Sequence, residues 1–203
     1  MDESTAVKAS RAGDNEAFGL LIDQHYKNIY RYAYHCTGKH QDADDICQET
    51  FLRAFDRIGQ LKNSDSFREW LYKIATNLSR RRIKKMRIDR NFVSLSLDAM
   101  DQHREKNNIQ PFDNLTKKEK ALIIQQNLKE MSERLRMVTV LVLMEDLTQK
   151  EAAKILNRSE PSISRDLNEA KAWLQSRLRK SSTTGRAGGM RKAPKRGHWV
   201  NSG

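Results

Sequence analysis

Apolar residues recur at three- and four-residue steps through most of the first 90 positions. That is the period of a helix with one buried face. Over 10–36 the series is Phe18, Leu21, Ile22, His25, Ile29, Tyr32, Ala33 and Cys36. Gly13-Asp14-Asn15 interrupts its start, which predicts a short helix before a longer one. Thr37-Gly38-Lys39 predicts a stop, with Gly38 suited to a left-handed cap. The pattern resumes at Asp42, the next helix being capped by Asp42 or a residue just before it. Cys47, Phe51, Ala54, Phe55 and Ile58 share one side, and Asp42, Asp45, Glu49 and Asp56 share the other. Residues 59–66 read as a polar loop, and Asp65 or Ser66 starts the following helix. There Phe67, Trp70, Leu71, Ile74, Ala75 and Leu78 form an apolar stripe beside a polar, positive one of Lys73, Asn77, Arg80 and Lys84. Residues 42–85 thus carry an acidic face and a basic face on different helices. This division predicts two macromolecular partners, one basic and one acidic.

Residues 92–114 lack sustained periodicity and read as a linker, one that lets two domains occupy separated sites on a large partner. Helical spacing returns over 118–130, with Ala121, Leu122, Gln125 and Leu128 on one face. Met131-Ser132 breaks it, and 133–145 resumes it with Leu135, Val138, Leu141 and Val142 inward. Thr148 followed by Glu151 is a capping-box pattern. Ala152, Ile155 and Leu156 then face inward, Asn157-Arg158 turns the chain, and Ser159 caps a last helix with Pro161 in its first turn. Ile163, Leu167, Ala170 and Leu174 give that helix its inner face. This is a helix-turn-helix pattern, whose second helix commonly enters the major groove by its N-terminal part. It offers Glu160, Ser162, Arg165 and Asn168 outward, and Arg165 suits either a guanine or a phosphate.

The fold class expected is all-α: two small helical domains joined by a flexible linker, then a disordered basic tail. The boundaries are 1–90, 91–117, 118–179 and 180–203. Composition sharpens the picture of partners. The 203-residue chain has a formal net charge of +12. Such a charge favours nucleic acid or an anionic surface. Arg80, Arg81, Arg82, Lys84, Lys85, Arg87 and Arg90 form a dense run that suits phosphates. The tail is rich in Gly, Ser and basic residues, has no acidic one, and cannot bury enough apolar surface to fold alone. No apolar run approaches the ~20 residues of a bilayer span, and the acidic, polar start is unlike a secretory signal. The expected compartment is the cytoplasm, with no direct insertion into a membrane.

The residues needed for catalysis are not assembled in any motif. There is no nucleophile–base pattern, no phosphate-cradling glycine loop and no H-E-x-x-H. Asp42, Asp44, Asp45 and Glu49 sit at helical spacing, poor for a calcium loop. His35, Cys36, His40 and Cys47 match no zinc spacing. The expectation is no enzyme, no cofactor and no metal.

D-A-D-D-I-C-Q-E-T-F-L-R-A-F followed by F-R-E-W-L-Y-K-I-A-T-N resembles the promoter-melting domain of the small, extracytoplasmic-function sigma factors of bacterial RNA polymerase. M-S-E-R-L-R onward resembles that family's second domain. The likeness covers roughly 12–85 and 127–179. It implies that Asp42, Asp45, Gln48, Glu49 and Leu52 meet the clamp of the polymerase's largest subunit, with Phe55 as inward support. It implies that Lys62, Asn63, Ser64, Trp70, Lys73, Asn77, Arg80, Arg81 and Lys84 bind single- and double-stranded promoter DNA at the −10 element. It implies that Arg158, Ser159, Glu160, Pro161, Ser162, Ser164, Arg165 and Lys171 bind the −35 duplex. Core RNA polymerase, including the flap of its second-largest subunit, promoter DNA and an anti-sigma factor are the implied partners. The sequence departs from the family where a Lys-Ser-Arg succession is usual, having Ser164, Arg165 and Asp166, and at a further basic position it has Glu169. Met131-Ser132 replaces the common Leu-Pro. A conventional helix-turn-helix regulator that dimerises by its N-terminal domain is the rival reading, and a non-DNA adaptor with an RNA- or membrane-binding tail is the other.

Overall fold

A computed structural model describes the backbone of residues 1–96 and 116–183 and the side chains of residues 1–89 and 116–177. The described residues are helical or turn, in the order α1 Glu3–Arg11, α2 Asn15–Thr37, α3 His40–Arg57, α4 Phe67–Ser96, α5 Lys117–Glu130, α6 Glu133–Thr139, α7 Gln149–Leu156 and α8 Glu160–Thr183. Two short 3-10 turns, Ile58–Gln60 and Ser64–Ser66, lie between α3 and α4. Most of the expected linker, residues 97–115, falls outside the described residues. So do the side chain of Arg90 and, beyond Thr183, the expected basic tail with Trp199.

The caps explain where the chain bends. The side chain of Asp14 accepts the amide of Ala17 at the start of α2, so Gly13-Asp14 does separate two helices. Gly38 ends α2 at φ 77°, a left-handed conformation that suits glycine, and its amide closes on the Tyr34 carbonyl. The start of α3 differs from expectation: Lys39 stands at the cap position with no side-chain hydrogen bond, and Asp42 lies inside the first turn. Thr116–Glu119 and Thr148–Glu151 both form reciprocal capping boxes. Asn157 turns α7 into α8 at φ 54°. The helix expected over 133–145 is cut short. After Thr139 it widens into a π turn, Val140–Met144, and Asp146 follows at φ 51°.

The helices expected to form two domains pack on each other through one apolar cluster. Tyr32, Phe67 and Tyr72 from the first half join Leu128, Val138, Leu141 and Ile163 from the second, all essentially buried. Burying side chains of this size stabilises by roughly 1.5–3 kcal/mol each before entropy is counted. At its centre the Tyr32 and Tyr72 rings meet edge to face at 5.4 Å. The Tyr32 hydroxyl pairs with the Thr76 hydroxyl at 2.7 Å, so the buried polar tip is satisfied.

Candidate polymerase and nucleic-acid interfaces

The outer face of α3 combines charge with exposed carbon. Asp45, Gln48 and Asp56 are exposed, and between them lie Leu52, 62% exposed, and Phe55, 47% exposed. Steps of three and four residues put these on one stripe. Phe55 is therefore not the inward residue that its spacing predicts. Its ring leans edge to face on Phe18 at 5.1 Å and leaves its other side open. Apolar anchors set among charged residues are the usual make-up of a protein-binding patch. Glu49 is half-buried and held by Arg53 at 2.6 Å, one turn on.

Asp42 does not belong to that face. It is only 2% exposed, and its carboxylate takes a hydrogen bond from Arg82 of α4. The Asp42 carboxylate raises the Arg82 guanidinium above its ordinary value, against the opposing effect of burial. One aspartate of the expected acidic face and one arginine of the expected basic run thus neutralise each other between α3 and α4. Helical spacing could not reveal this, since the partner comes from another helix.

Four other cations of α4 stay available, whereas Arg68 donates to the Glu145 carbonyl and Arg87 lies 3.9 Å from Glu133. Lys73, Arg81 and Lys84 are exposed and Arg80 is partly so, and none makes an ion pair with a described residue. Asn77, also exposed, sits among them. Upstream, Lys62 and Asn63 are exposed, while Ser64 is buried. The Asn63 side chain accepts the amide of Asp65, which pins the loop at the entry to α4. Trp70 is half-buried, against the core and 6.1 Å from the Phe67 ring. It occupies a core position and keeps a partly open edge.

In the helix-turn-helix, Ala152, Ile155, Leu156, Ile163, Leu167 and Ala170 bury the contact between α7 and α8. The Ser159 carbonyl takes the amides of Ser162 and Ile163, and its hydroxyl pairs with that of Ser162 at 2.8 Å. Pro161 stands in the first turn, where its missing amide proton costs little. Glu160, Arg165, Asn168 and Lys171 are exposed, and Ser162 and Ser164 partly so. The Arg165 guanidinium lies back along its own helix, 3.4 Å from both the Pro161 carbonyl and the Ser162 hydroxyl. Arg158 is placed differently. It and Arg134 of α6 both donate to the carboxylate of Asp166, which is 1% exposed. Arg134 also reaches Glu169 at 2.7 Å. The two acidic departures from the resembled pattern therefore hold α6, the turn and α8 together, and Arg158 is spent on that link.

Sequence reasoning missed Glu145. It is 2% exposed at the end of the π turn, and its carboxylate meets Arg31 and Tyr72 of the N-terminal half. The Glu145 carboxylate raises the Arg31 guanidinium, with burial opposing. Burial, with Glu145 nearby, pushes the Tyr72 hydroxyl well up. Only the π turn, invisible in the hydrophobic pattern, aims Glu145 inward. Cys36 and Cys47 are both buried, and burial pushes each thiol up to about 12. Among the described residues no group of three or more His, Cys, Asp or Glu side chains is placed to hold a metal ion. No described helix is long and apolar enough to cross a membrane.

Residues 21–87, which hold both the α3 face and the α4 stripe, match the family described as Sigma-70 region 2. The chain is 29% identical over 177 residues to the ECF RNA polymerase sigma factor SigW of Bacillus subtilis, covering 85% of this chain and 95% of that protein. Its fold is similar to CnrH, solved in complex with the cytosolic domain of CnrY, at a TM-score of 0.66 and 21% identity, covering 88% of this chain and 97% of that one. It is also similar to the sigma factor RpoE, solved with the anti-sigma factor NepR from Bartonella quintana, at a TM-score of 0.58 and 19% identity, covering 80% and 96%. With an exposed acidic and apolar helix, a basic neighbour and a helix-turn-helix in one chain, it carries Sigma-70 region 2 over residues 21–87 and is similar along most of its length to extracytoplasmic-function RNA polymerase sigma factors.

Proposed function

We propose that this protein is an alternative sigma factor that binds core RNA polymerase, directs promoter-specific initiation and is controlled by an anti-sigma factor in the cytoplasm. The observation that carries this reading is the division of residues 21–87: α3 turns Asp45, Gln48, Leu52 and Phe55 outward while α4 keeps Arg80, Arg81 and Lys84 unpaired with any described residue. The first set meets the polymerase clamp. Its charges speed and orient encounter, and its two apolar side chains supply area that leaves water on docking.

The second set holds promoter DNA at the −10 element. Lys62, Asn63 and Lys73 approach the opened strand from the loop and the start of α4, and the partly open edge of Trp70 offers a stacking surface. Arg80, Arg81 and Lys84, with Asn77, hold the adjoining backbone. Arg165, with Ser162, Ser164 and Lys171, contacts the −35 duplex. No covalent step is assigned to this chain. Its affinity for the separated strand shifts the closed-to-open equilibrium of the promoter. An anti-sigma factor covers these faces until a signal removes it. The relatives solved with CnrY and NepR support that part of the reading.

Run-off transcription with purified core polymerase tests the proposal. Specific initiation from a cognate promoter is expected only when both proteins are present. Tight binding to a palindromic duplex without polymerase, and no initiation with it, would support a conventional regulator instead.

A further inference from the structure

Glu145 is where the two halves of the chain hold each other. Its carboxylate accepts Arg31 Nε at 2.9 Å, Arg31 Nη2 at 2.7 Å and the Tyr72 hydroxyl at 2.8 Å. Its carbonyl accepts Arg68 Nη2 at 2.6 Å. One buried residue of the C-terminal half thus engages three residues on two helices, α2 and α4, of the N-terminal half. The Arg31 fork reaches both carboxylate oxygens, and charge-assisted bonds of this kind are the strong ones. Lesser contacts run alongside. Arg136 Nη1 donates to the Cys36 carbonyl at 2.7 Å, and Gln125 bridges His35 and the Tyr34 carbonyl. Lys154 of α7 pairs with Glu69 of α4 at 3.0 Å.

This closure packs the half that carries the α4 stripe against the half that carries the helix-turn-helix. Arg80 and Arg87 of α4 line one cleft, of about 550 Å³, with Leu156 of α7 and Arg158 of the turn. The −10 and −35 elements are, by their names, about 25 base pairs apart. At 3.4 Å per base pair that is roughly 85 Å. Two halves packed together through one buried cluster cannot reach across that distance to contact both elements at once.

We propose that Glu145 is the latch of a self-closed resting state, which the chain must release before it can span a promoter. The inhibitory role rests on the sigma-factor reading, whereas the latch as a conformational device does not. The latch acts within one chain, so closure needs no anti-sigma factor. It also sets a threshold for polymerase, since apparent affinity falls with the fraction of chain that is open. The π turn aims the carboxylate inward, and Arg31, partly exposed, offers a point at which a partner can compete for it.

The test uses the full chain in three forms: wild type, Glu145→Gln and Arg31→Ala. Glu145→Gln keeps the shape and removes the charge. Arg31→Ala changes a partly exposed side chain, so it stays informative if the first variant folds poorly. Circular dichroism establishes helix content, and small-angle X-ray scattering gives the radius of gyration. Run-off transcription at limiting sigma factor gives function. Both variants are expected to keep their helices, to have a larger radius of gyration and to initiate about tenfold more at limiting concentration. Variants with unchanged dimensions overturn the latch, whatever transcription shows. Expanded variants that initiate no better than wild type overturn its inhibitory role. Initiation by none of the three overturns the sigma-factor reading and leaves the scattering result to decide the latch.

Discussion

Replacing Asp166 separates two accounts of the same position. By resemblance, a basic residue here would grip DNA phosphates, so Asp166→Arg should strengthen promoter binding. The structure predicts the reverse. Asp166 is 1% exposed and accepts both Arg134 and Arg158, which joins α6, the turn and α8. Each hydrogen bond to a charged partner contributes about 1.5–3 kcal/mol. Both arginines stay partly exposed, at 48% and 29% of their side chains, and can rehydrate when the carboxylate goes. The lower end of the range applies, so Asp166→Ala should cost about 2–3 kcal/mol in all. Against a total of roughly 5–15 kcal/mol, that is a large loss. Asp166→Arg sets a third cation between two others at a buried site, and the helix-turn-helix should unfold.

Urea unfolding followed by far-UV circular dichroism measures the cost, and electrophoretic mobility shift with a −35 duplex measures the binding. The expected result is a clearly lower midpoint for Asp166→Ala, with lost helix and lost binding for Asp166→Arg. A change below about 0.5 kcal/mol for the alanine variant, the level typical of surface positions, together with a folded, tighter-binding arginine variant, would refute the reasoning.

Further outcomes follow from the other surfaces. Asp45→Lys should weaken binding to core polymerase in a pull-down while leaving helix content unchanged, because Asp45 is exposed and makes no ion pair with a described residue. Phe55→Ala should weaken the same binding by about 1–2 kcal/mol, read by titration with labelled polymerase, if its open side docks as an anchor. Arg80→Glu with Lys84→Glu should reduce permanganate-detected strand opening with little change in melting temperature, since neither side chain is needed by the core. With both thiols raised to about 12 by burial, the thiolate fraction at pH 8 is minute. Neither Cys36 nor Cys47 should react with a thiol reagent until urea unfolds the chain, and prompt labelling at pH 8 would contradict their burial.

The order and type of the helices were legible because each buries one face and so writes its period into the chain. The Gly38 stop, the Thr148–Glu151 box and the Asn157 turn were legible because each depends on local backbone chemistry. What could not be read was decided by a neighbour from elsewhere. Asp42 looks like a surface carboxylate until Arg82 of α4 covers it. Phe55 looks like a core residue, yet Phe18 shields only one side of its ring. Glu145 ends a run that reads as plain helix, and a π turn swings it into a contact with residues more than 70 positions away. Arg158 and Arg165 look alike in sequence, yet one is tied to a buried carboxylate and the other lies along an open surface.

The two cationic residue types are used differently, and that bears on how the +12 charge reaches a partner. Among the described residues, the links between helices that engage deeply buried carboxylates are made by arginine: Arg31 on Glu145, Arg82 on Asp42, Arg134 and Arg158 on Asp166. A guanidinium is planar, forked and more weakly hydrated than an ammonium, so it loses less on entering such sites. Lys62, Lys73, Lys84, Lys85 and Lys171 are exposed, with no ion pair to a described residue. Among the described residues these lysines can therefore meet a phosphate directly, whereas the four arginines are already engaged by carboxylates. Salt dependence exposes the difference, because the logarithm of affinity falls by about 0.9 per phosphate neutralised for each tenfold rise in salt. Substituting one exposed lysine that contacts a phosphate should reduce the slope by about one, at little cost in stability. Substituting Arg82 should lower stability and leave the slope of whatever remains folded unchanged. If Arg82 instead changed the slope as a lysine does, its pairing with Asp42 would have to open on DNA, and the division of labour drawn from the ion pairs would be wrong.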